Sequence, residues 1–207
     1  MTYSEFDLEV VHKSLGLAFK QVQLFEKIKP LEPPQWLKEG LAKGIVLALG
    51  SEKSRSEFIV APILLASREL SGDRFYIFSG QRLDVDPEKG LIGECDFILT
   101  RTPPSPILQS PIITILEAKK NDIEAGMGQC AAQMYGASLF NRKEENGAKA
   151  VFGCVTTGED WQFLKLEDGT IWIDQDRYYI DNLGGILGMM QTIIYFYESD
   201  GEIHSQG

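Results

Sequence analysis

The hydrophobic pattern changes period several times along the chain. From Ser4 to Ile28 the apolar residues Phe6, Val10, Val11, Leu15, Phe19, Val22 and Phe25 recur at helical spacing. This predicts one amphipathic helix, weakened near Gly16. KPLEPPQWLKEG follows as a Pro-rich connector that leads into a short helical turn. GIVLALG is short and apolar, a strand or a packed turn. Ser54 followed by Glu57 has the spacing of a capping box. A helix is therefore predicted from there to about Leu70, bent at Pro62.

Beyond Leu70 the pattern turns to strands. RFYIFSGQRLDVD is rich in aromatic and β-branched residues, and GLIGECDFILT reads as a second strand. TPPSP and QSP mark a long connection before PIITILEAKK, which is apolar on both faces and so predicted to be central. DIEAGMGQCAAQMYGASLF is a helix with many small residues, suited to close packing on a sheet, and KAVFGCVTT is a fourth strand. WQFLKLEDGTIWI predicts an antiparallel hairpin turning at Asp168-Gly169, and a closing helix runs from Leu183 to about Tyr197. The predicted core order is helix, three strands, helix, strand.

The apolar strand Ile112–Leu116 ends in Glu117-Ala118-Lys119. Alternate residues of a strand share a face, so Glu117 and Lys119 project together. Asp96 lies within the preceding strand, and pairing of the two strands brings it beside Glu117. Two carboxylates at that range repel, and one is driven toward protonation unless a cation sits between them. Oxygen ligands of this kind suit Mg²⁺ or Mn²⁺. Lys119 beside such an ion would orient an attacking water or help deprotonate it. Metal-assisted cleavage of a phosphodiester requires such a set.

Glu57 on a helix, Asp96 in GECDFIL, Glu117-Ala118-Lys119 on the next strand and glutamines on the following helix resemble the PD-(D/E)XK nuclease superfamily. The SRSEFIVAPILL segment is similar to the first helix of the N-terminal nuclease modules of type I restriction subunits. The resemblance covers roughly residues 51–157. It implies an α/β, restriction-endonuclease-like αβββαβ core with a mixed central sheet. It also implies that Asp96 and Glu117 bind the metal through their carboxylates and Ala118 through its carbonyl, with Glu57 completing the site. Lys119 would position the water and stabilise developing charge, and Gln129 or Gln133 would support the site or contact the DNA backbone. Cys95 precedes Asp96 where members of the family often carry proline.

Each of these residues also has a plainer reading. Glu117 and Lys119 make a solvated ion pair at a strand end, and Asp96 is a surface carboxylate. Glu57 only closes the capping box with Ser54. Gln129 and Gln133 form an exposed polar stripe on one helix face. Lys120, Arg82 and Arg101 are candidates for DNA contacts, or solvated charges.

Composition narrows the picture further. The chain has 207 residues, 43% hydrophobic and 24% charged, as one globular domain requires. Residues 1–50 form an N-terminal helical extension, 51–157 the nuclease-like core and 158–207 the C-terminal hairpin and helix. The formal charge of −10 argues against a broad basic surface, so DNA would be met in a local cleft. It also leaves room for a homodimer or a protein partner, and for a second function: a catalytically inactive module of the same fold used for interaction or assembly. Cys95, Cys130 and Cys154 are far apart and read as reduced and structural. With only two histidines, His12 and His204, a zinc site is not expected, and both lie outside the nuclease-like segment, where no chemistry is expected of them. The N-terminus lacks the features of a signal peptide, and the longest apolar stretch is short of a membrane span, so a cytoplasmic location is expected. No Gly-rich phosphate loop and no Ser-His-Asp order supports another α/β enzyme.

Overall fold

Two buried apolar clusters, one on each face of a single sheet, organise the chain. The computed structural model describes residues 1–144 and 148–202, with side chains through residue 198. The strands are β1 (Ala18–Val22), β2 (Tyr76–Arg82), β3 (Glu94–Thr100), β4 (Ile112–Ala118), β5 (Ala150–Thr156), β6 (Asp160–Glu167) and β7 (Thr170–Tyr179). The helices are α1 (Leu8–Leu15), α2 (Gln35–Leu47), α3 (Glu52–Arg55), α4 (Ala61–Leu70), α5 (Ile123–Lys143) and α6 (Leu183–Glu202). Among the described residues the strands form one mixed sheet in the order β1-β7-β6-β5-β4-β3-β2. Helices α1 and α5 cover one face; α2, α4 and α6 cover the other.

The protein is thus an α/β fold, and the predicted succession of helix, three strands, helix and strand is present from α3–α4 to β5. Every residue of β4 is buried, as its two-sided apolarity predicts. It runs antiparallel to β3 and parallel to β5. The parallel pairing needs a crossover, which α5 provides. Buried Asn141 ties that helix to the start of β4: its amide donates to the Ile112 carbonyl and accepts the Ile112 N–H, both at 2.7 Å. The β6–β7 hairpin turns at Asp168 and Gly169, whose φ angles of 48° and 73° are those of a two-residue turn of the I′ kind.

Several expectations are overturned. Residues 4–28 do not form one helix. α1 stops at Gly16, whose φ of 71° places it in the left-handed region, and the following residues add β1 to the sheet edge, parallel to β7. The N-terminal region is therefore part of the sheet, not only a helical extension. GIVLALG is neither strand nor turn but mostly the last turn of α2. The capping box belongs to Ser51 and Ser54, and helical structure begins at Glu52. A π-helical turn, Ser56–Val60, joins α3 to α4, just before Pro62. Proline cannot donate to the preceding turn, and a widened turn accommodates that.

Candidate active site

The carboxyl end of β4 lies between β3, the carboxyl end of β5 and the amino-terminal half of α5. At the end of the β3–β4 pairing, Phe97 faces Leu116. Asp96 therefore stands across from Glu117. Its Oδ2 accepts the Ala118 N–H at 2.7 Å, which fixes its side chain against the strand end. The Lys119 N–H continues the β4–β5 ladder to the Thr156 carbonyl at 2.8 Å.

α5 approaches this strand end closely because it carries glycine there. A Cβ on Gly126 would lie 2.6 Å from Val155 Cγ1 and 2.9 Å from Lys119 Cγ. With the helix that close, Gln129 and Gln133, one turn apart, both reach Glu117. Lys119 Nζ donates to Glu117 Oε1 at 2.8 Å and to Gln129 Oε1 at 2.9 Å. Gln129 Nε2 donates to the same Glu117 Oε1 at 2.6 Å, closing a three-membered ring. Gln133 Nε2 donates to Glu117 Oε2 at 3.0 Å, while the buried Oε1 of Gln133 has no partner among the described residues. The polar-stripe reading of the two glutamines fails, since Gln133 is fully buried. The Glu117–Lys119 pair is not a solvated one either: the two side chains are 4% and 16% exposed.

Burial dominates the electrostatics. It lifts the Glu117 carboxyl to about 7, with Asp96 adding to the rise, while Lys119 and Gln133 oppose it. Burial also raises Asp96, against the Ala118 N–H and Lys119, with Glu52 and Glu94 on the raising side. For Lys119 burial acts downward, but Glu117, Glu52 and Asp96 outweigh it and the amine is held above its ordinary range. Lys119 is therefore a firm ammonium.

The structure brings together Asp96, Glu117, Lys119, Gln129 and Gln133, with the Ala118 backbone between them. Glu57 lies elsewhere: its side chain is 55% exposed, on the π turn, with Lys53 3.9 Å away. The helical acid that reaches the strand end is Glu52, whose Oε1 accepts the Lys120 N–H at 3.3 Å. Glu52 lies about one turn before buried Arg55, and the π turn that follows keeps a regular helical count from locating it in the sequence. Arg55 is itself buried and donates to the Thr157 carbonyl at 2.7 Å, tying α3 to the end of β5.

The other cations are occupied differently. Arg82 makes a two-pronged pair with Asp84, and Arg101 donates to the Tyr197 carbonyl. The Lys120 side chain is exposed. The His12 ring contacts the Leu17 carbonyl at 2.8 Å, and His204 lies outside the described residues. Cys95, Cys130 and Cys154 are buried and free.

Among the described residues no cluster of three or more His, Cys, Asp or Glu side chains forms a ready metal cage. The oxygen set at the strand end is smaller: Asp96, Glu117 and the Ala118 carbonyl, with Glu52 beyond. Mg²⁺ keeps several waters and takes one or two carboxylates from a protein, so a set of this size suits it. The mutual repulsion of Asp96 and Glu117 is what a divalent ion would relieve.

No protein-family model matches the chain, and no curated protein is significantly similar to it. Among the described residues no helix is long and apolar enough to cross a membrane.

Proposed function

We propose that this protein is a divalent-metal-dependent nuclease that hydrolyses DNA phosphodiester bonds, with Mg²⁺ or Mn²⁺ as its ion, on a restriction-endonuclease-like αβββαβ core. The observation that carries the reading is the closed ring of Glu117, Lys119 and Gln129 beside Asp96 at a buried strand end. The order of elements from α3 to β5 supports it, as does the Asp-to-Glu-x-Lys spacing.

Asp96, Glu117 and the Ala118 carbonyl would hold the ion, with Glu52 in the place first expected of Glu57. A bound ion would supply positive charge to the phosphate and a more acidic water. The chain's own residues do the rest. Lys119 is a donor rather than a base, so it orients a water or steadies charge on the phosphate oxygens. Gln129 holds that amine in line through its Oε1. Gln133 fixes the second oxygen of Glu117, so the carboxylate keeps one orientation. Asp96 is anchored by a backbone N–H and stays in place without the ion.

The direct trial is nicking of supercoiled plasmid in Mg²⁺ or Mn²⁺. The wild type is expected to cleave, and Lys119→Ala and Asp96→Asn to lose at least about a hundredfold. No cleavage in either ion, or full activity in Lys119→Ala, overturns the proposal.

A non-catalytic module of the same fold is the second reading. It is favoured by the saturation of Glu117 with three donors, which leaves the carboxylate satisfied without any ion. Mn²⁺ titration separates the two. Binding that disappears in Asp96→Asn and Glu117→Gln supports the enzyme, and absence of binding supports the module.

A further inference from the structure

Helices α2 and α4 carry a feature that the site does not use. Trp36 Nε1, at the start of α2, donates to Glu69 Oε2, at the end of α4, at 2.9 Å. Near the other end a Cβ on Gly44 would lie 2.6 Å from the Phe58 carbonyl oxygen. α2 therefore runs antiparallel to α4 and, where glycine removes the side chain, touches the π turn that leads into it. Gly40, midway along α2, has open space where its Cβ would be.

Large apolar side chains face outward along this pair. Val46 is 69%, Leu49 64% and Leu65 54% exposed, and Trp36, Leu47 and Phe58 are exposed beside them. With about 150–200 Å² of surface for a large apolar side chain, the six expose on the order of 500 Å². A standard interface takes about 800 Å² from each partner, little more than half of it apolar. The strip thus supplies the apolar share of one full interface. It also approaches the upper end for the largest apolar patch on a monomer.

Charge indicates the occupant. Between Gln35 and Leu70 the chain carries five Lys or Arg and four Asp or Glu, a balance of +1, whereas the whole chain carries −10. Two copies of so acidic a protein repel over most of their surfaces and meet at least cost where the local charge is neutral. A Cβ on Gly40 would meet nothing within 4 Å, one turn along α2 from the exposed Trp36, so this surface has room for a partner's side chain.

We infer that the exposed strip along α2 and α4 is a homodimer interface, with a second copy of this chain as its occupant. The inference does not depend on the nuclease reading, because its readout is mass and not cleavage.

The test is sedimentation velocity of the full chain across about 1–100 μM, a range that brackets a micromolar Kd. The wild type should move from monomer to dimer with concentration. Val46→Glu and Leu65→Glu place like charges in the interface and should weaken dimerisation at least about tenfold. Both positions are already exposed, so the monomer fold should survive, which circular dichroism and the melting temperature verify. Ile107→Glu, at an exposed apolar residue outside the strip, should leave the dimer intact. A wild type that stays monomeric throughout, or a dimer that persists in both strip variants, overturns the inference.

Discussion

With glutamine in place of Glu117 the protein should gain stability relative to the ion-free wild type as the pH rises through neutrality, although the change removes a charged partner of Lys119. The Glu117 carboxyl is lifted from 4.5 to about 7, chiefly by burial and then by Asp96. Below about pH 4.5 the group is protonated in folded and unfolded chains alike and costs nothing. Between 4.5 and about 7 the folded chain keeps a proton that the unfolded chain has released, so stability falls as pH rises. Above that interval the loss is complete. At about 1.4 kcal/mol per unit, the interval corresponds to about 3 kcal/mol. The neutral amide in E117Q removes this dependence. Its N–H has an acceptor at hand, because the Gln133 Oε1 is unpartnered and a turn of that amide presents it.

Urea denaturation followed by tryptophan fluorescence, in EDTA, measures the effect. Trp161 is fully buried and reports unfolding. The stability of E117Q relative to wild type should rise by about 2–3 kcal/mol between about pH 5 and pH 8. Groups that do not interact with Glu117 act on both proteins alike and cancel in the difference, and Lys119, raised above its ordinary range, stays charged across this interval. Asp84 and Asp86, for example, are held low by Arg82 and by the Lys89 N–H respectively, so their stability is lost as pH falls. A difference that is flat with pH would refute the buried, Asp96-opposed carboxylate on which the site is built.

Three further outcomes follow from the same geometry. In about 10 mM Mg²⁺ at pH 8 the wild type should gain about 1.4 kcal/mol if its Kd is about 1 mM, and Asp96→Asn should gain nothing in the same urea titration. Gly126→Ala places a methyl against Val155 and Lys119, and should lower the melting temperature by about 3–10 °C and reduce cleavage as Gln129 is pushed away. In the plasmid assay Glu52→Gln should lose at least about tenfold and Glu57→Gln should match wild type, and the reverse ranking would return the helical acid to Glu57.

Much of the site was legible because strands encode their faces. β4 is apolar at alternate and intervening positions alike, so its central place and the shared direction of Glu117 and Lys119 follow from period alone. Gln129 and Gln133 declared a common face by their spacing. The illegible parts depend on distant partners or irregular backbone. Phe19 and Val22 fit a helical stripe as well as a strand. Pairing of their segment with β7, some 150 residues on, decides the matter, and no local pattern encodes it. GIVLALG carries Gly44, which disfavours helix on propensity, yet that glycine lets α2 approach Phe58. The π turn adds a residue to one helical turn, so counting from Glu57 points outward while Glu52 faces the strand end.

The net charge of −10 and the burial of Glu117 bear on one question, namely what keeps two neighbouring carboxylates tolerable before any ion binds. Three answers compete at Glu117: a proton, the Lys119 ammonium with its glutamine supports, and a divalent cation. The first is favoured by burial and Asp96, which is why the carboxyl titrates near neutrality. The second is already in place as hydrogen bonds of 2.6–3.0 Å. On the proposed reading a divalent ion, with twice the charge of Lys119, would gain from both Asp96 and Glu117 where the ammonium pairs directly with one. Were an ion bound, Gln129 would still accept from the Lys119 amine and hold it at the strand end, where it would be available to act on a bound phosphate. On the proposed reading, the residue that stands in for the metal in its absence is also the one that acts on the phosphate in its presence. The loss of ion-free stability and the loss of cleavage in Lys119→Ala should therefore appear together.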